Sequence, residues 1–229
     1  MSPIAVNLQA IRRRIYEALQ GDSRDIRIVA VSKSQSPEAL RAAFDAGLRD
    51  FGESYVQEAL PKIAALEGLA ATWHYIGHLQ GNKVRDVAAA FDWVHGVDRA
   101  KIAAGLSRAR SEAAPTLNVC IQVNISSEAT KGGVHPAEAL ALAREVAALP
   151  RLRLRGLMGM ASPTAGAAAQ RAQFALLRAT GEEITAAGIA LDTLSMGMSQ
   201  DFEAALSEGA TLVRIGTAIF GGRDNEKAA

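Results

Sequence analysis

The sequence predicts a fold of the α/β class: a single (β/α)8 TIM barrel over residues 1–229, with an extra helix at the N-terminus. Three observations predict it. Eight short apolar runs alternate with helical patterns, as in a closed parallel barrel. The first run, 26–32, is near-continuously apolar after Arg27, as expected of a strand covered on both faces. The length of 229 residues suits the fold, and no Pro/Gly/Ser-rich linker or compositional shift divides the chain. An open doubly wound sheet is the alternative and needs a reversal of strand order.

Residues 5–20 read as an amphipathic helix with an apolar stripe of Leu8, Ile11, Ile15 and Leu19. The first strand, 26–32, is followed by a helix from Pro37 to Ala46, with Ser36 as cap and Gly47 as stop. Then come a short run at 50–52 and a helix over 55–66, and a run at 73–77 with a helix through Val84 and Val87 to Ala90. The fourth run is 93–97, with a helix over 99–110. The fifth is Leu117 to Ile125, with a helix over 136–149. Residues 153–160, 191–196 and 212–215 complete the strands, with helices over 166–187 and 202–207 between them.

Lys and Arg total 25 against 24 acids, so no net field attracts nucleic acid or an anionic membrane. Aromatic residues are few and not interleaved with basic runs, which gives base stacking little support. No apolar run reaches the roughly 20 residues that span a bilayer, and residues 1–20 lack a signal-peptide core. Cys120 is the only cysteine, so no intrachain disulfide or cysteine metal cluster is expected. A cytoplasmic protein follows.

In a barrel of this kind the carboxyl ends of the strands form the active face. Those ends gather Lys33, Glu53 and Ser54, His78, Asn124, Met160, residues 195–199 and residues 214–217. Lys33 closes the first strand, either as a solvated strand-end residue or as a desolvated amine available for carbonyl chemistry. Gly216 and Thr217 follow the last strand, where consecutive backbone amides can face an anion. Ser195 to Ser199 adds donors from the strand before it, although Ser199 also suits a helix cap. First and eighth strands are neighbours by closure. An amine beside a phosphate cradle points to a phosphorylated aldehyde held as a Schiff base, and pyridoxal 5′-phosphate is a cofactor of that kind. Arg214 is then placed to donate to its pyridine nitrogen, or serves as a salt-bridged rim arginine.

Several stretches together, in order along the whole chain, resemble one family. They are Ala-Val-Ser-Lys (30–33), Phe-Gly-Glu-Ser-Tyr-Val-Gln-Glu (51–58), Trp-His-Tyr-Ile-Gly-His-Leu-Gln-Gly-Asn-Lys (73–83), Arg-Gly-Leu-Met (155–158), Ser-Met-Gly-Met-Ser (195–199) and Val-Arg-Ile-Gly-Thr-Ala-Ile-Phe-Gly (213–221). The chain resembles the pyridoxal phosphate homeostasis protein family, the YggS-like group. The resemblance implies an alanine-racemase-like barrel with the cofactor on Lys33. It also implies phosphate contacts from Ser195 and the backbone of Gly216 and Thr217, with Arg214 near the pyridine nitrogen. Met198 and Ser54 complete the implied cofactor contacts. The family usually has Asn in place of Ser54, and many members have Pro and Ser in place of His78 and Gly81.

Guanidinium offers only donors, so an Arg214 facing the ring nitrogen disfavours its protonation and weakens the electron sink. Racemases resembling this barrel add a second domain for catalysis and dimerisation, whereas this chain ends about eight residues after Gly221. The expectation is therefore a monomer that holds, buffers or delivers pyridoxal phosphate to PLP-dependent apoenzymes, without robust catalysis. An amino-acid racemase, with Tyr55, Tyr75 or His78 moving protons, and a Schiff-base aldolase acting on a phosphorylated sugar are the alternatives. Lys131, in the loop 130–133, is a second amine on the same face that could relay the aldehyde, or a solvated loop lysine.

Overall fold

The computed structural model describes residues 2–128, 131–163 and 166–221. The strands are β1 (Arg27–Val31), β2 (Asp50–Glu53), β3 (Thr72–Tyr75), β4 (Trp93–Val97), β5 (Leu117–Gln122), β6 (Leu152–Met158), β7 (Thr193–Met198) and β8 (Leu212–Ile215). They run parallel in sequence order and close into a barrel, with Val29 of β1 paired to Arg214 of β8.

Helix α1 (Pro3–Leu19) begins where the Ser2 hydroxyl accepts the Ala5 amide at 3.2 Å, with a proline in the first turn. Its Leu8, Ile11 and Ile15 are buried, each contributing about 1.5–3 kcal/mol by leaving water. Helices α2 (Pro37–Asp45), α3 (Val56–Ala65), α4 (Val84–Ala90), α5 (Ala100–Ala109), α6 (Ala139–Ala147), α7 (Ala167–Ala186) and α8 (Phe202–Ser207) each follow one strand. A last turn, α9 (Thr217–Phe220), follows β8, and α1 packs against α8 and α9. No helix among the described residues is long and apolar enough to cross a membrane.

Alternation along the strands separates two interiors. Ala30, Phe51, Trp73, Tyr75, Val94, Val119, Ile121, Leu157, Val213 and Ile215 join the large apolar core between strands and helices. Their inward neighbours fill the lumen. There Trp93, Cys120 and Met158 form a separate cluster, with Met160 packed on it. The rest of the lumen is polar, with His74, His95, Ser195 and Arg214 buried inside it.

Several expected boundaries move, among them the ends of β3 (Tyr75 rather than Gly77) and β6 (Met158 rather than Met160). β5 ends at Gln122 rather than Ile125: Val123 keeps a last bond to the Met158 carbonyl while bridging Val134, and the Asn124 amide then donates to the Val134 carbonyl at 2.9 Å. β7 runs on to Met198 rather than stopping at Met196, so all of the 195–199 motif but Ser199 lies inside the strand. The β7–β8 register slips there: Ser195 pairs with Leu212, but Met198 with Arg214. Gly197, at φ 92°, supplies the left-handed backbone this bulge uses. The turn α9 was not expected at all, since four residues carry no periodicity to read.

Candidate functional site

At the carboxyl ends of β1, β7 and β8 lies a cavity of about 290 Å³. That is the size of a vitamin-sized ligand rather than a polymer. Lys33, Met198, Arg214, Gly216 and Thr217 line it, five of the seven residues expected to meet a cofactor.

Lys33 stands two residues past the last residue of β1, and its side chain is exposed, so the amine is not desolvated. It makes no ion pair or hydrogen bond among the described residues. The turn around it is held from behind. Ser32 is fully buried and donates to Glu53 Oε1 at 2.7 Å. Ser34, at φ 62°, has its amide on Glu58 Oε1. Lys62 of α3 joins both sides, with Nζ 2.7 Å from the Ser32 carbonyl, 2.9 Å from Glu53 and 2.6 Å from Glu58. Burial pushes the Glu53 carboxyl above its usual range, against the pull of its bonds to Ser32 and Lys62.

Arg214 is fixed in the lumen just below the cavity. Its Nη1 donates to the Ser195 carbonyl at 2.6 Å and to Ser195 Oγ at 2.7 Å, and its Nη2 to the Gly159 carbonyl at 3.0 Å. Nε–H keeps no partner among the described residues, although the residue lines the cavity. Burial lowers this guanidinium to about 10, with Asp201 pulling the other way. Asp201 also lines the cavity and accepts the Met198 amide at 2.6 Å. Burial raises it, and the Met198 bond and Arg214 oppose that rise.

Ser195 and Ser54 are not among the lining residues. Ser195 is fully buried, because alternation between Leu194 and Met196, which face the outer core, turns it into the lumen, and its hydroxyl is taken by Arg214 and by His95 Nδ1 at 2.8 Å. Ser54 is half-buried at the end of β2. The hydroxyl that does reach the cavity from this motif is Ser199, whose Oγ lies 3.5 Å from the Ala218 amide. Its place in the motif marked it, but a capping serine and a ligand-facing one look alike in sequence. Gln170 of α7 also lines the cavity and carries no such signal.

The other strand-end residues do not converge there. Asn124 Nδ2 donates to the Glu128 and Lys131 carbonyls, and Met160 packs on the lumen cluster. His78 is exposed beside Asp98, 3.6 Å away, and Tyr75 Oη donates to the His78 carbonyl. Lys131 Nζ is engaged by Glu128 at 2.9 Å and the Ala161 carbonyl at 3.2 Å, so that loop amine is tied down rather than solvated. Thr130 of its loop lies outside the described residues. The two buried histidines, His74 and His95, were read only as parts of strands. In sequence only the two-residue spacing of Trp93 and His95 marks a shared strand face; the stacking of His74 on Trp93 is visible in the structure alone. Among the described residues no group of three His, Cys, Asp or Glu side chains could hold a metal.

Comparison with known proteins agrees with this architecture. The model of the family "Alanine racemase, N-terminal domain" matches residues 6–224. The chain is 55% identical over 227 residues to the pyridoxal phosphate homeostasis protein of Pseudomonas aeruginosa, covering 98% of this chain and 97% of that one. It is 47% identical over 238 residues to the pyridoxal phosphate homeostasis protein of Escherichia coli, covering 99% and 100%. Among solved structures, PipY of Synechococcus elongatus with PLP bound superposes with a TM-score of 0.83 at 36% identity, covering 95% of this chain and 100% of that one. The chain belongs to the pyridoxal phosphate homeostasis proteins, within the alanine racemase N-terminal domain family.

Proposed function

We propose that this chain binds pyridoxal 5′-phosphate through Lys33 as a Schiff base and serves intracellular vitamin B6 homeostasis by holding, buffering or delivering it. One observation carries the reading: Lys33, whose amine has no partner among the described residues, and Arg214, which keeps an N–H without one, line the same cavity. The PLP-bound state of PipY and the homeostasis role in the relatives' names support it.

The residues present fit such a ligand. When bound, the cofactor supplies an aldehyde that condenses reversibly with amines. The Ser199 and Thr217 hydroxyls and the backbone at 216–217 are placed to take its phosphate. Arg214 would donate a free N–H to the ring nitrogen and, having no acceptor of its own, would favour that nitrogen unprotonated. Asp201 limits the charge left uncompensated in the lumen.

Proton-transfer candidates lie away from this cavity. Tyr75 is committed to the His78 carbonyl, Tyr55 is exposed, and neither they nor His78 line it. That arrangement favours a carrier over a racemase. We place the carrier in the cytoplasm as a monomer, with PLP-dependent apoenzymes as transient acceptors.

The test is the visible spectrum of protein mixed with pyridoxal phosphate, wild type and Lys33→Ala, before and after borohydride. A yellow wild type that reduction fixes to Lys33, with no band in the variant, supports the reading. A colourless wild type that takes up no cofactor ends it, and racemisation of free amino acids by the loaded protein replaces the carrier with an enzyme.

A further inference from the structure

A continuous line of hydrogen bonds crosses the barrel lumen beneath the cavity. Arg214 Nη1 donates to Ser195 Oγ at 2.7 Å, and Ser195 Oγ lies 2.8 Å from His95 Nδ1. His95 Nε2 lies 3.0 Å from His74 Nδ1, and His74 Nε2 lies 2.9 Å from Asp50 Oδ1. Ser195, His74 and His95 are all fully buried, while Asp50 reaches the opposite mouth of the barrel with 18% of its side chain exposed. Layers inside such barrels are ordinarily filled by Val, Ile and Leu. Two desolvated imidazoles in their place are costly unless every ring nitrogen is satisfied.

Every one is satisfied, and in one direction only. The Asp50 carboxylate can only accept, so His74 donates from Nε2. Burial disfavours the imidazolium at both rings, so both are neutral. The Nδ1 of His74 must then accept, which forces His95 to donate from Nε2 and accept at Nδ1. The Ser195 hydroxyl therefore gives its proton to His95 and turns its lone pairs to Arg214. The dipoles align head to tail between a buried cation and a carboxylate at the far mouth.

We propose that His74, His95 and Ser195, anchored by Asp50, are positioning residues that lock the Arg214 guanidinium, leaving it N–H donors not spent on Ser195 and Gly159 at the edge of the cavity it lines. The proposal rests on the reading that Arg214 meets the cofactor ring, and it extends the machinery of that contact across the barrel. None of these three residues lines the cavity.

The experiment has two parts. In cofactor-free protein at neutral pH, ¹⁵N NMR is expected to report the Nε2–H tautomer for both His74 and His95. An Nδ1–H tautomer or an imidazolium at either ring overturns the relay. In protein loaded with pyridoxal phosphate, His95→Leu is expected to weaken affinity about fivefold, the scale of one hydrogen bond, and to displace the visible band. His95→Asn, which keeps an acceptor for Ser195, is expected to restore both. Should His95→Leu fail to fold, Asp50→Ala at the far mouth, which removes the acceptor of His74 Nε2–H, is expected to move the band in the same direction. An unchanged band and affinity in the folded variants overturn the proposal. If wild type takes up no pyridoxal phosphate, the proposed function falls, and the tautomers, read without cofactor, still decide the relay.

Discussion

The Glu53 carboxylate lies 2.9 Å from the Lys62 ammonium, with 0% and 6% of the two side chains exposed, directly behind the turn that carries Lys33. Glu53 Oε2 has no partner, so its charge depends on what Oε1 receives from Ser32 and Lys62. Lys62→Met leaves that carboxylate buried and unpaired, and is expected to cost about 3–5 kcal/mol in urea denaturation. The double variant Glu53→Gln with Lys62→Met is expected to recover a large part of that loss, which a double-mutant cycle measures.

Acid sensitivity follows from the lumen histidines. Burial holds both His74 and His95 below the ordinary 6.5, so the unfolded chain takes up protons that the folded one refuses. Their contribution is fully present above 6.5 and is lost as pH falls from there toward the folded values. The slope is at most about 1.4 kcal/mol per pH unit for each ring. Glu53 works in the opposite sense: raised above 4.5, it favours the fold at low pH and loses that contribution as pH rises through its folded value. Urea midpoints measured from about pH 7.5 to 5 are expected to fall for wild type. A double His74→Asn, His95→Asn variant is expected to show a shallower decline over the same range.

Replacing Arg214 with lysine separates charge from geometry. A single ammonium cannot span the Ser195 oxygens and the Gly159 carbonyl while also presenting a donor to the cavity. Arg214→Lys is expected to weaken pyridoxal phosphate binding about tenfold in a spectroscopic titration, the scale of one charge-assisted hydrogen bond. A binding constant equal to that of wild type would remove Arg214 from the ligand's contacts.

Gly197 tests the bulge. A Cβ there meets Ala205 Cβ at 2.8 Å and Phe202 Cα at 2.9 Å, on a backbone at φ 92°. Gly197→Ala is expected to cost about 3 kcal/mol, part from the left-handed backbone and part from displaced α8. Because the same loop presents Met198 and Ser199 to the cavity, cofactor affinity should fall with it. Thermal denaturation read beside a binding titration checks both.

The alternation of eight apolar runs with helical patterns carried the parallel α/β class, and the structure decided between a closed barrel and an open doubly wound sheet in favour of the barrel. The order of the runs also placed Lys33 beside the last strand, since β1 and β8 meet on closure. The motif at 213–221 sits where its glycine and threonine line the cavity, although Gly222 beyond it lies outside the described residues.

What sequence could not supply is which way individual side chains face once strands bulge, and what they meet across the lumen. Ser195 turns into the lumen between Leu194 and Met196, a one-residue slip between β7 and β8 follows it, and Ser199 beyond the slip is the serine that lines the cavity. The partners in the lumen are far apart in the chain, His95 and Ser195 by 100 positions and Arg214 and Gly159 by 55. Local periodicity determined the strands, the helices and the end of the barrel at which the lysine stands. The tertiary structure alone decided the Lys62 support, the cavity's true lining and the histidine line to Asp50, because hydrogen bonds between distant strands depend on register and closure, which no short stretch of sequence encodes.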